Sequence, residues 1–191
     1  MPDAAYFQAM YERDPDPWRF SSSEYERDKY AATLAAIGTG RIGRAWEVGC
    51  SIGVFTAALA DRCEALLAVD VAQAALDQAK RRCAGNARVR LERLCVPAQW
   101  PEGRFDLIVF SEVLYFLSGS DIQLTARRAS ASLEPAGRIV LVNWTGENDQ
   151  PLNGDAAADA FLAAAPELCL VHQDRRPGYR LDVLRPNVPV A

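Results

Sequence analysis

The sequence predicts an α/β fold: a three-layer αβα sandwich around a seven-stranded, mostly parallel sheet that ends in an antiparallel hairpin. Over most of the 191 residues, short apolar runs alternate with amphipathic stretches. That alternation is the βαβα pattern of a parallel sheet with helices on both faces. The runs are too short and too uniformly apolar for surface helices, as expected of strands covered on both sides. The close of the chain changes character. There, strands over 169–173 and 179–184 flank the polar turn Asp174-Arg175-Arg176-Pro177-Gly178, which makes them antiparallel.

Taken in order, the first residues read as irregular, up to a helix over 23–37. That helix opens on serines followed by Glu24 and Glu26, a capping-box signature, and stops at Gly38 and Gly40. Tyr30, Leu34 and Ile37 recur at helical spacing and are expected to form its core-facing stripe. Five parallel strands follow at 45–48, 65–70, 89–92, 106–110 and 138–143, with helices at 53–61, 72–83, 121–133 and 155–164. Asp121 and Asp155 are the expected N-caps of the last two helices, and Pro135-Ala136-Gly137 the turn into the fifth strand. With no repeat or linker in view, the chain reads as one domain over 1–191.

Composition narrows the function. Half the residues are hydrophobic and the net charge is −4, which argues against a nucleic-acid partner because phosphate backbones demand strong positive patches. Arg81-Arg82 and Arg127-Arg128 are read as solvated helix faces. The five cysteines (50, 63, 83, 95 and 169) show no CxxC spacing, so neither a zinc site nor a disulfide framework is indicated. They read as small buried residues of a reducing cytoplasm. The start shows no secretory pattern, and no apolar run approaches the roughly 20 residues of a membrane span. The expectation is a cytoplasmic protein, monomeric or weakly dimeric, without metal or membrane partner. His172 is the only histidine and no G-x-S-x-G elbow accompanies it, which disfavours hydrolase chemistry.

The first strand runs into Glu47-Val48-Gly49-Cys50-Ser51-Ile52-Gly53 and then a helix. Small residues in this turn let the backbone approach a ligand closely. The spacing is E-x-G-x-S-x-G, not the G-x-G-x-x-G that wraps a dinucleotide pyrophosphate, so a nicotinamide dehydrogenase is disfavoured. Asp70 ends the second strand, 17 residues after Gly53, where a carboxylate can accept both hydroxyls of a ribose or cap the helix that follows.

These residues resemble the first motif of class I S-adenosylmethionine-dependent methyltransferases, E/D-x-G-x-G-x-G, with Ser51 in place of the middle glycine. The resemblance implies a Rossmann-like core over 41–191 that binds S-adenosylmethionine and releases S-adenosylhomocysteine. Glu47, Gly49, Cys50, Ser51 and Gly53 would face the methionine part, with Asp70 and Val71 on the nucleoside. Pro97 and Ala98, in Cys95-Val96-Pro97-Ala98-Gln99-Trp100-Pro101, fit the segment that covers the adenine. The stretch from Phe105 to Tyr115 fits the fourth strand and its exit, with Ser111 on the cofactor side.

A narrower likeness, to the NodS-like branch, rests on segments outside that core. They are Asp14-Pro15-Asp16-Pro17-Trp18, Tyr25-Glu26-Arg27-Asp28-Lys29-Tyr30, Ser111-Glu112-Val113-Leu114-Tyr115-Phe116-Leu117, Pro151-Leu152-Asn153-Gly154-Asp155 and the closing Tyr179-Arg180-Leu181-Asp182-Val183-Leu184. It implies an amino-sugar acceptor, the free amine of a deacetylated chitooligosaccharide, and a lid over 1–40 carrying Trp18 and Tyr30. Arg27 offers the two-donor fork that suits the cofactor carboxylate. Glu112 and Tyr115, at the exit of the fourth strand, are the candidates for orienting the acceptor and draining its proton. Trp144 could offer a sugar ring an apolar face, Asp155 reads as a cap, and His172 on the hairpin has little expected role. One departure stands out: relatives often carry His-Trp after the fifth strand, and this chain has Asn143-Trp144.

Overall fold

The structure is a computed structural model and describes residues 3–187. It comprises two compact units that meet in sequence between Cys95 and Val96. The first holds α1 (Ala4–Arg13), α2 (Glu24–Ile37), β1 (Ile42–Val48), α3 (Val54–Ala60), β2 (Cys63–Asp70), α4 (Gln73–Arg82) and β3 (Val89–Arg93). The second holds β4 (Phe105–Ser111), a single 3₁₀ turn (Leu114–Phe116), α5 (Gly119–Ala131), β5 (Leu133–Trp144), α6 (Gly154–Ala164), β6 (Leu168–Arg176) and β7 (Tyr179–Pro186). The sheet is seven-stranded, ordered β3-β2-β1 in the first unit and β4-β5-β7-β6 in the second.

β1, β2 and β3 are parallel, as are β4 and β5, while β7 runs antiparallel to both β5 and β6. The predicted hairpin therefore folds back so that its second strand sits against β5 and its first becomes the edge. Its turn shrinks to Pro177-Gly178, with Gly178 at φ 91°; proline followed by a positive-φ glycine is the chemistry of a tight type II turn. The parallel strands are buried as their apolar runs predict. In β4, Phe105, Leu107, Ile108, Val109 and Phe110 are all enclosed, and Phe110 meets Phe161 of α6 with ring centroids 5.5 Å apart.

Several local expectations need correction. The opening residues are helical: Asp3 caps α1 by accepting the Tyr6 amide at 2.9 Å, and Phe7 and Tyr11 pack one face on Ile52, Ala72 and Ala75. Asp121 and Asp155 are not N-caps. Ser118 caps α5 and Asn153 caps α6, accepting from the amides of Asp121 and Ala156. Asp121 lies in the first turn and instead accepts the Ser118 hydroxyl at 2.7 Å, whereas Asp155 pairs with Arg175 at 2.7 Å. Each cap therefore lies two or three residues before the expected aspartate. Residues 135–137 are an irregularity inside β5, where the register jumps from Phe105↔Leu133 to Leu107↔Arg138. The bulge absorbs the proline without ending the strand.

The stripe on α2 also differs. Ser23 caps the helix and Gly38 ends it, as expected, but the buried residues are Glu26, Lys29, Thr33 and Ile37; Tyr30 and Leu34 are only half-buried. The polar residues on that face bond one another, although Glu26 Oε2 is buried without a hydrogen-bond partner among the described residues. The Lys29 ammonium donates to Glu26 Oε1 at 2.9 Å, and the Thr33 hydroxyl to the Lys29 carbonyl at 2.8 Å. Of the cysteines, 50, 63 and 83 are buried as expected, but Cys95 is exposed and Cys169 half-exposed.

Candidate active site

The loop after β1 is built from backbone bonds and three positive-φ residues. The amides of Gly49 and Cys50 both donate to the Val69 carbonyl at 2.9 Å, and the Gly53 amide returns to the Cys50 carbonyl at 2.9 Å. Gly49 (φ 84°), Ser51 (φ 49°) and Gly53 (φ 78°) lie in the left-handed region. Ser51 thus occupies the middle-glycine position of the motif in a glycine-like conformation, a strain usually tolerated where other contacts fix the backbone. At Gly53 a Cβ would come within 2.9 Å of Ala79 on α4, so glycine here sets how closely the loop approaches that helix.

Two groups do the fixing. Asp70, at the end of β2, accepts the Ser51 amide on one oxygen and the Ala72 amide on the other, each at 2.9 Å. Burial lifts its carboxyl above the ordinary value, against the pull of the Ala72, Ser51 and Val71 amides. Its cap role and its loop-bracing role are therefore both real, and each oxygen retains a lone pair. The second group is Tyr11, which sequence reading missed. Its hydroxyl meets the Ser51 hydroxyl at 2.5 Å, tying α1 to the loop. The signal was present in Phe7 and Tyr11 at i, i+4, but the expectation of irregular chain before residue 23 hid it.

Beneath the loop, Glu47 is enclosed. Burial pushes its carboxyl from 4.5 to about 7, with the Thr56 hydroxyl opposing and Asp70 reinforcing the rise. Arg82 is no mere solvated side chain, since its Nε donates to the Ile52 carbonyl at 3.0 Å and clamps the loop from α4. Beside Asp70, a cleft of about 550 Å³ is lined by Ala4, Ala5 and Gln8 of α1 with Val71, Gln73 and Arg93. Gln8 also accepts the Ala74 amide at 3.1 Å, bonding α1 to the start of α4.

Among the lid candidates, Trp18 is 40% exposed and packs edge-on against Tyr11 at 5.7 Å, one residue removed from the loop. Tyr30 stacks on Phe55, two residues past Gly53, at 5.4 Å. Arg27 is not brought to the loop. It is exposed and donates to the Ser22 carbonyl at 3.1 Å, so the buried cation of α2 is Lys29.

In the second unit, Ser111 ends β4 opposite Val142 of β5. Glu112 follows at φ 56°, its amide donating to the Val142 carbonyl at 2.8 Å. A β-strand cannot continue through that conformation, so the chain turns into the 3₁₀ turn that holds Tyr115, 7% exposed, against Phe116. Pro97 is buried and its carbonyl accepts Arg128 Nη1 at 2.7 Å, which gives Arg128 a structural task; Ala98 is exposed. Trp144 is half-buried, and His172 is exposed on the edge strand. Among the described residues no group of three or more His, Cys, Asp or Glu is placed to hold a metal, and no helix is long and apolar enough to cross a membrane.

Comparison with known proteins agrees with this architecture. The model of the nodulation protein S family matches residues 8–147. Nodulation protein S of Rhizobium tropici is 33% identical over 162 residues, 84% of this chain and 68% of the relative. The Sinorhizobium fredii protein of the same name is 29% identical over 154 residues, 80% of this chain and 71% of the relative. In fold, the chain is similar to N-methyltransferase NodS of Bradyrhizobium japonicum WM9, solved with S-adenosyl-L-homocysteine. The TM-score is 0.80 at 22% identity, over 95% of this chain and 98% of that one. With a match that takes in the Glu47–Gly53 loop, Asp70 and the exit of β4, the chain belongs to the nodulation protein S family of S-adenosylmethionine-dependent methyltransferases.

Proposed function

We propose that this enzyme transfers a methyl group to the free amine of an amino sugar, with a deacetylated chitooligosaccharide as the model acceptor. The observation that carries the cofactor half is Asp70, a half-buried carboxylate that braces the 49–53 loop through the Ser51 amide and precedes Val71, which lines the cleft. The residues present fit the cofactor. Asp70 would hold the ribose hydroxyls, Val71 and the cleft the nucleoside, and the amides and small side chains of Gly49, Cys50, Ser51 and Gly53 the methionine part. Glu47 supports that loop from below, and Trp18 and Tyr30 complete it from the leading segment. Pro97, Ala98 and Ser111 are assigned to the cofactor on family likeness. When bound, S-adenosylmethionine supplies a methyl group on a sulfonium, a good leaving group.

The chain's own task is orientation, which can lower a barrier by roughly 7–11 kcal/mol. The acceptor nitrogen must present a free lone pair, since an ammonium has none. In this reading Glu112 would accept an N–H of that amine and, after the N–C bond forms, pass the surplus proton to water. Tyr115 would hydrogen-bond the acceptor beside it, and Trp144 would offer the sugar ring an apolar face. The whole 1–191 chain is assigned to one catalytic domain, acting in the cytoplasm as a monomer or weak homodimer.

The test is methyl transfer from labelled S-adenosylmethionine to a panel comprising a chitooligosaccharide with one free terminal amine, its N-acetylated form, and simple hydroxyl acceptors. Label on the free amine only is expected. Label on hydroxyl acceptors with none on the amine would replace this reading by O-methylation. Glu112→Gln is expected to lower kcat while leaving S-adenosylhomocysteine affinity within about twofold; equal turnover would remove Glu112 from the mechanism.

A further inference from the structure

Asn143 stands on the penultimate residue of β5, and neither atom of its carboxamide has a hydrogen-bond partner among the described residues, although the residue is 0% exposed. A buried amide with both groups unmet is rare in a folded protein and costs stability that a leucine would not. Its facing cation on β7 is already ion-paired. Across the β5–β7 pair it faces Arg180, whose guanidinium is taken by Asp159 and Asp182, each at 2.7 Å, with Asp155 at 3.4 Å. On the helix side, α6 begins with Gly154, where even a Cβ would come within 2.9 Å of Asn143 Cβ, so no side chain can reach over from that position. On the β4 side, Ser111 pairs with Val142; Glu112, just past the end of β4, donates its amide to the Val142 carbonyl at 2.8 Å, and Asn143 follows Val142 on β5.

The unmet amide thus lies at the carboxyl ends of parallel strands, where open α/β sheets bind ligands, and beside the residue assigned to the acceptor. We propose that Asn143 is the specificity-determining contact for the methyl acceptor. Oδ1 accepts an N–H of the attacking amine, leaving its lone pair free. Nδ2 donates to a neighbouring hydroxyl, so the pair reads the vicinal amino alcohol of a 2-amino sugar. A carboxamide does not titrate, so residue 143 fixes the acceptor without moving a proton, and Glu112 keeps that task. The inference deepens the amino-sugar reading and rests on it for the chemical class of the acceptor.

Asn143→Leu and Asn143→Ala test it, with a chitooligosaccharide carrying one free terminal amine as probe. Both are expected to raise KM for the probe at least tenfold, with S-adenosylhomocysteine affinity within twofold of wild type. The leucine variant should melt no lower than wild type, since it removes two unmet polar groups. Unchanged KM in either folded variant overturns the proposal, as does a joint loss of melting temperature and S-adenosylhomocysteine affinity in both, which would make the amide structural. If the wild type ignores the amine but methylates a hydroxyl acceptor, the amino-sugar reading falls. The role of Asn143 is then decided by the same KM comparison on that acceptor.

Discussion

Ser51 concentrates the residue-scale argument. It holds a left-handed conformation that glycine adopts freely, and it returns a hydroxyl that meets Tyr11. Ser51→Ala keeps the backbone strain and loses the bond, whereas Ser51→Gly loses the bond and relieves the strain, worth roughly 1 kcal/mol. Urea denaturation should therefore place the alanine variant about 1 kcal/mol below both the glycine variant and wild type. Equal stability of wild type and both variants would remove both the strain and the bond from the account. Glu47 gives a second prediction at this scale. Its folded-state carboxyl titrates near 7 against an ordinary 4.5, so between those values the folded chain keeps a proton that the unfolded chain has lost. Stability falls as pH rises through that window, by about 3 kcal/mol at most from this group. Glu47→Gln should flatten the difference between denaturation at about pH 5 and about pH 8; an undiminished difference would contradict it.

The same scale shows what one-letter reading could and could not reach. Asp70 was legible because strand, loop and helix around it are short and local in sequence. Tyr11 was not, because its partner lies 40 residues away. Arg27 and Lys29 are two residues apart, and only the rotation of α2 decides which is buried, a matter of packing and not of composition.

At the scale of elements, Gly53 is where loop and helices constrain one another. A methyl group there meets Ala79 at 2.9 Å and must also hold φ 78°. Gly53→Ala is expected to cost roughly 2–4 kcal/mol in chemical denaturation. A cost under about 0.5 kcal/mol would mean that α3 and α4 can separate freely. The strands were legible almost throughout because burial on both faces forces uniform apolar runs. Helix starts were displaced because serine and asparagine compete with aspartate for the cap. α1 was unread because ten residues with a single buried position, Tyr11, carry little periodic signal. The β5 bulge hid behind a proline and a glycine that also spell a turn.

Across the whole molecule, fold class, hairpin and cofactor loop followed from the chain's alternation and one motif, because a parallel sheet imposes its order on local sequence. The acceptor side was less legible. Glu112 was found by its place after β4, but Asn143 drew notice only as a departure from relatives; its unmet amide depends on where β7 and α6 put their own polar groups. The central claim is that the 49–53 loop and Asp70 form one wall of a cofactor site. Isothermal titration of S-adenosylhomocysteine into wild type and Asp70→Ala tests it directly. Saturable binding is expected, weakened in the variant by roughly 1.5–3 kcal/mol, one to two orders of magnitude in Kd. No binding to wild type at high micromolar concentration, or equal affinity in the two proteins, would contradict it.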